Sequence, residues 1–401
     1  MTRLLCGCIV VFALGLGVSI SFARDFSEQE YLASFHATHP ARAILDKPLR
    51  KARADVRAAG LLENPIGSFE REAPENLEQN TWSLSWLPPF DGRRSARKAA
   101  AEAALESAKG ERALAGAELR TTLREAYARW ALASERTTIV EDPTHRLRQL
   151  VTRVSQRASS GEASVLSARR IALAVLEIEA AAVRADVERI DAEAVALGWL
   201  GDSDGDFTPI RPELPAEPTI PNAPDTPVVA LRRSQVTAAD AAARSSGRFV
   251  QFPELMFGWQ TVDEVGVEVS GPVMGVAWPI PIFDRQQGDR DAANATVAAA
   301  RASLDLETAR VSAELAAASA GYDRLRDAAL SAVDSVAIGD NVLASATARF
   351  EAGESDVTEL LETVRGVISA RLAALDLYAA ALAAHRELDM LMGRSWSPEE
   401  E

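Results

Sequence analysis

The sequence predicts a mainly α fold with a small β part, built from two copies of one structural unit. Three observations predict it. Pro88, Phe90 and Asp91 recur as Pro281, Phe283 and Asp284, a shift of 193, and Arg157, Gly161, Glu162 and Val165 recur as Arg349, Gly353, Glu354 and Val357, a shift of 192. Register held over such a distance marks duplication of a whole unit. Each copy also carries short runs of alternating apolar and polar residues, the pattern of strands with one apolar face. Each then enters a very long Ala-rich stretch with apolar residues every three or four positions, closed by Gly.

Residues 1–23 read as a signal peptide. Arg3 supplies the positive start, Leu4 to Phe22 the apolar run, and Ser21-Phe22-Ala23 a small-x-small cleavage site. The competing reading is an uncleaved membrane anchor. Cys6 and Cys8, the only cysteines, lie inside this segment, so the mature chain has no disulfide and no thiolate metal site. No later run reaches the ~18–20 apolar residues of a spanning helix. A formal charge of -15 and a pI near 4.9 disfavour nucleic acid as a partner. Glycine-rich phosphate loops, His/Cys clusters and nucleophile elbows are missing from the sequence. The expectation is a chain that is not an enzyme and takes no cofactor.

The first repeat is placed at 24–201. Phe26 to Leu62 reads as helix divided by Pro40, and Asn64-Pro65 ends it. A β-hairpin follows at about 64–88, where Trp82, Leu84 and Trp86 alternate with Ser83 and Ser85. At the corner Pro88-Pro89-Phe90-Asp91, proline ends ladder pairing and Asp offers a helix N-cap. The helix from Arg93 to about Ser159 spans about 100 Å at 1.5 Å per residue, with Pro143 expected to kink or break it. Gly161 then reverses the chain into a return helix from about Ser164 to Leu200. Residues 202–227 are Pro- and Asp-rich without period, a strap between the repeats.

The second repeat, 228–393, follows the same plan. Its β-hairpin, about 250–281, alternates through Leu255, Phe257 and Trp259, then Val265, Val267 and Val269, then Met274, Val276, Trp278 and Ile280. A second corner holds Pro281, Phe283 and Asp284. The long helix from Arg285 to about Ala352 has no internal proline and is expected to run unbroken. Leu304, Val311, Leu315, Tyr322, Leu325, Ala329, Val333, Val336 and Leu343 form its coiled-coil seam. Gly353 makes the turn into a helix from about Asp356 to Met392, and 394–401 is a short acidic tail. Isolated two-stranded hairpins leave edges unpaired, so sister chains are their expected partners.

Paired hairpin, corner, long helix, Gly turn and return helix after a signal peptide resemble the outer-membrane efflux protein (TolC-like) family over nearly the whole mature chain. Pro279-Ile280-Pro281-Ile282-Phe283-Asp284-Arg285-Gln286-Gln287-Gly288 and the Arg153 to Ser164 turn are closest to its CzcC-like heavy-metal cation efflux branch. The resemblance implies a homotrimer: a 12-stranded outer-membrane β-barrel that continues into a periplasmic α-helical barrel. It also implies a passive conduit of a tripartite RND-type efflux system, with a periplasmic adaptor (membrane fusion) protein and an inner-membrane pump as partners. The alternatives are a channel for drug efflux or type I protein secretion, and, from another class, a soluble periplasmic coiled-coil adaptor or scaffold.

The resemblance also assigns roles. The turns Gly161, Glu162 and Ser164, and Gly353, Glu354 and Ser355, would meet the adaptor. Glu359 and Glu362, an i, i+3 pair, match two aspartates that ring the pore entrance of drug exporters. Six such carboxylates in a trimer would concentrate cations; the plain alternative is a solvated helix face. Ser167, Phe350 and Ser355 depart from the residues that latch that entrance shut. Trp82, Trp86, Trp259 and Trp278 would form an aromatic belt in lipid, or else the core of a soluble sheet. His36, His39, His145 and His385 show no ligand spacing.

Overall fold

The computed structural model describes residues 24–393 apart from 36–38, 75–76, 89, 91, 161–163, 202–205, 217–225, 247–252, 265, 279, 281 and 284. The signal peptide, the acidic tail, His36, Asp91, Gly161, Glu162, Pro281 and Asp284 lie outside the described residues.

In chain order the elements are β1 (Arg24–Phe26), α1 (Glu28–Ala33), α2 (Pro40–Ala59), β2 (Ile66–Glu72), β3 (Leu77–Trp86), α3 (Arg93–Ser159), α4 (Val165–Gly198), β4 (Phe207–Pro209), α5 (Pro227–Ser246), β5 (Glu254–Glu264), β6 (Val267–Ala277), α6 (Gln287–Val336), α7 (Gly339–Ala352) and α8 (Val357–Met392). The chain is thus mostly helical with a small sheet. Phe26, expected to start a helix, instead ends a strand that pairs in parallel with β4 of the strap. The helix begins two residues later, where Ser27 and Glu30 form a reciprocal capping box. Pro40 starts α2 at its first position, with His39 as N-cap.

Both hairpins form, and they do not wait for sister chains at every edge. β3 pairs antiparallel with β5 from Leu77↔Glu264 to Trp86↔Leu255, giving one four-stranded sheet in the order β2-β3-β5-β6. Only the outer edges, β2 and β6, stay open among the described residues.

The proline expectation for the long helices is reversed. α3 runs unbroken through Pro143, which is buried. The missing N–H forfeits one helical bond, but Val140, Leu147 and Leu150 on the same face are buried against neighbouring helices, and packing holds the axis. Thr144 bonds the Val140 carbonyl at 2.7 Å. The proline-free second helix is the interrupted one, at Ala337–Ile338. There Gly339 touches α8 so closely that a Cβ would sit 3.1 Å from Val367 Cγ1. A glycine inside a helix weakens it.

The helices form a layer in the order α4, α3, α8, then α6/α7, and α5 bridges α3 and α6. Of the expected seam, Val311, Leu315, Tyr322, Ala329 and Leu343 are buried. α8 is long and apolar enough to cross a membrane, which corrects the expectation that nothing past the signal segment reaches that apolarity. Its apolar face, including Val364, Leu382 and Leu388, is buried against its neighbours. The strap is tied down by tyrosines. Tyr127 donates to the Ile210 carbonyl at 2.7 Å, Tyr378 to Pro212 at 2.8 Å and Tyr322 to Pro215 at 2.6 Å.

Candidate functional site

The sheet register sorts side chains onto two unlike faces, because paired residues point the same way. One face carries Phe69, Trp82, Trp259 and Pro272 in one row, then Leu84, Phe257 and Met274, then Trp86, Leu255 and Val276. Phe69 and Trp82 rings lie 4.5 Å apart, yet both are exposed. The other face carries Ser68, Glu70, Thr81, Ser83, Ser85, Gln260, Gly258 and Gly275, with Ile66, Met256 and Val273 set among them. A Cβ at Gly258 would lie 2.6 Å from the Trp82 carbonyl oxygen, so close strand approach requires glycine there. Toward the hairpin tips the apolar face turns charged, with Glu78, Asp263 and Glu268 in one row.

At the corners Phe90, Ile280, Ile282 and Phe283 are exposed and Trp278 is 65% exposed, while Pro88 is buried. The helices start on left-handed residues, Gly92 (φ 76) and Gln286 (φ 54), with no side-chain cap. This corrects the expected Asp N-caps: each helix begins past its aspartate, because the chain must first turn through a positive φ.

At the tip of the second helical hairpin, Gly353 adopts φ 77 and closes α7, with the Glu354 N–H bonded to the Arg349 carbonyl. Asp356 caps α8, accepting from the Val357 N–H at 2.7 Å and the Thr358 hydroxyl at 2.9 Å. Thr358 first, then the Val357 amide, hold its carboxyl below the usual aspartate range. Ser355 Oγ is buried without a hydrogen-bond partner. Ser164 caps α4.

Glu359 and Glu362 are both exposed, but they are not equivalent. Glu359 pairs with Arg349 at 2.7 Å, whereas Glu362 has no ion pair among the described residues. Near them the two helical hairpins are cross-tied: Arg153 to Glu351 at 2.7 Å, Arg365 to Glu177 at 2.5 Å, and Arg170 to the Thr358 hydroxyl at 3.4 Å.

Sequence reasoning missed a buried ionic cluster between α1, α3 and α8. Arg124 bonds Glu28 at 2.8 Å and also Asp389, whose Oδ2 lies 3.3 Å from His385 Nδ1. Burial alone would lower the Arg124 guanidinium, but Glu28 and Asp389 raise it above its ordinary value. Burial pushes Arg386 down to about 10. The available signal was Arg386 and Asp389, two charges on the apolar face of α8. Among the described residues no group of three or more His, Cys, Asp or Glu side chains is placed to hold a metal.

The outer membrane efflux protein family model matches residues 231–394. The cobalt-zinc-cadmium resistance protein CzcC of Cupriavidus metallidurans is 25% identical over 366 residues, covering 87% of this chain and 85% of that protein. The nickel-cobalt-cadmium resistance protein NccC of Alcaligenes xylosoxydans xylosoxydans is 29% identical over 313 residues, covering 71% and 67%. The fold is similar to that of CusC, with a TM-score of 0.71 at 18% identity over 93% of both chains. With the duplicated helical hairpins and the two-faced sheet, these similarities place the outer membrane efflux protein family's pattern in the second repeat, give the whole chain a TolC-like architecture and support a location in the outer membrane.

Proposed function

We propose that this protein is the outer-membrane channel of a tripartite RND-type efflux system, a homotrimer that passively conducts heavy-metal cations from pump and adaptor to the exterior. The observation that carries this reading is the open four-stranded sheet. One face is an exposed run of aromatic and large apolar side chains, the opposite face is richer in small and polar residues, and the sheet stands at one end of helices about 100 Å long. Three copies joined β2 to β6 close a twelve-stranded barrel without edges, apolar side in lipid and polar side around water. An exposed patch of Phe69, Trp82, Trp259 and, one row on, Met274 disfavours a soluble scaffold, since large exposed apolar patches mark contact surfaces.

The repeats support the trimer independently. Val357, Leu375 and Leu382 of α8 are buried within the chain; 192 residues earlier, Val165, Val183 and Ile190 of α4 are exposed. The same face is covered in one copy and bare in the other, as expected if a neighbour covers it. The boundaries 24–201, 202–227 and 228–393 are the units of this duplication. The metal resistance named for the two relatives supports heavy-metal cations as cargo, and the tip turns suit an adaptor.

The test is a strain lacking the gene, complemented by wild type. Expected are heat-modifiable trimers in the outer-membrane fraction and restored resistance to zinc, cobalt or cadmium. A soluble monomer would sink the channel. Sensitivity to drugs alone would sink the metal cargo.

A further inference from the structure

At the foot of the sheet, the first repeat carries an exposed patch of cations. In a chain of 43 Lys and Arg against 58 Asp and Glu, residues 40–63 and 91–98 hold ten basic side chains and four acidic ones. On α2, Arg50, Arg53 and Arg57 are exposed at steps of three and four, so they share one helix face. Arg94 and Lys98, one turn apart on α3, are exposed as well. Arg94 Nε donates to the Gly60 carbonyl at 2.8 Å, and the Gly60 N–H bonds the Arg57 carbonyl at 3.1 Å. The two helices thus bring their cations to one junction. The acids of α2 are engaged elsewhere: Asp46 with Arg50 and Arg112, Asp55 with Lys51. Arg53 and Arg57 have neither an ion pair nor a side-chain hydrogen bond among the described residues. Local helix chemistry does not explain the arrangement. Arg93, Arg94, Arg97 and Lys98 occupy the first two turns of α3, where the helix dipole disfavours cations, whereas the same turns of α6 hold Asp289, Arg290 and Asp291.

We infer that Arg53, Arg57 and Arg94 bind the phosphate of an anionic phospholipid, such as phosphatidylglycerol, in the leaflet from which the helices emerge. The inference rests on the barrel reading above and adds a ligand to it. The patch adjoins the surface which that reading puts in lipid. Gly60 is followed by the exposed Leu61 and Leu62, and β2 begins four residues later. Leu62, Pro88 and Arg94 line one notch where strand hands over to helix, and Phe90, two residues past Pro88, is exposed. Apolar side chains next to guanidiniums match the order of a lipid itself, acyl chains beside phosphate. A guanidinium offers a fork of donors to two phosphate oxygens, and cations flanking a membrane-embedded segment attract anionic headgroups. A zwitterionic headgroup has no net charge to offset three guanidiniums, and a free phosphate has no use for apolar neighbours.

The test uses the purified protein in phosphatidylcholine nanodiscs, with part of the lipid replaced by phosphatidylglycerol bearing brominated acyl chains. Bromine quenches tryptophan, and Trp82, Trp86 and Trp259 lie in the sheet with Trp278 just past its end. Wild type should prefer the brominated phosphatidylglycerol over brominated phosphatidylcholine by about fivefold or more, and the preference should fall as salt rises. Arg53→Gln combined with Arg57→Gln should bring the ratio close to one with trimer yield unchanged. Replacing both by Lys keeps the charge and should retain most of the preference. Arg324→Gln, far down α6, should leave it at the wild-type value. A wild-type ratio near one, or an unchanged ratio in the double Gln variant, overturns the inference. So does a preference abolished by inorganic phosphate but not by sodium chloride of equal ionic strength, the mark of a free-phosphate site. A wild type that stays a soluble monomer and enters no nanodisc would instead sink the barrel reading, and the two failures are thus distinguishable.

Discussion

The four tyrosines of this chain all donate hydroxyl hydrogen bonds to backbone carbonyls. Tyr31 reaches Ala196 at 2.8 Å, and the other three hold the strap at Ile210, Pro212 and Pro215. Burial pushes the Tyr31, Tyr127, Tyr322 and Tyr378 phenols up, so they remain donors across the physiological range. A net hydrogen bond is worth about 1 kcal/mol. Tyr378→Phe should therefore lower stability by about that amount in chemical denaturation and speed proteolysis of the strap; an unchanged midpoint would deny the tie. Asp356 gives a pH prediction. Its pKa is lowered by Thr358 and Val357, so its contribution to stability is complete above the ordinary aspartate range and is lost as pH falls through the lowered value. Asp356→Asn should remove that acid limb from a pH series of melting temperatures. At this scale Glu359 and Glu362 were legible as an i, i+3 pair, but the Arg349 bond to one of them was not. That arginine sits across a turn whose geometry places it.

Between residue and molecule stand the elements, and here local pattern succeeded unevenly. The bounds of α3, the coiled-coil seam of α6 and the Gly353 turn follow from apolar period and a left-handed glycine. The effect of Pro143 does not, because a buried packing face outweighs one lost hydrogen bond. The break at Ala337–Ile338 was equally illegible, since it depends on how closely Gly339 approaches Val367. The Gly353 tip carries the adaptor proposal. Gly353 has open space around its Cβ position but a φ of 77, so Gly353→Trp strains the turn and adds bulk at the tip. Resistance to metal should be lost while trimer yield persists; resistance at the wild-type level would remove the tip from the adaptor contact.

For the whole molecule, the question is what the assembled pore does to ions. If three copies surround an axis, Glu359 and Glu362 contribute six carboxylates near its entrance, three of them already neighboured by Arg349. The unpaired Glu362 should dominate the field. In bilayer conductance, Glu362→Gln should lower cation over anion permeability more than Glu359→Gln, and the double variant more than either. Equal permeability ratios in all four proteins would dismiss the carboxylate ring.

What the sequence by itself determined is the duplication, the period of each element and the turns between them, because each depends on residues near one another in the chain. It also indicated two hairpins in need of partners. Only the tertiary structure decided that β3 takes β5 as partner and that Arg124 gathers Glu28 and Asp389. The physical reason is that these outcomes depend on which surfaces meet across hundreds of residues. Periodicity tells a helix which face is apolar, but only packing tells that face what covers it.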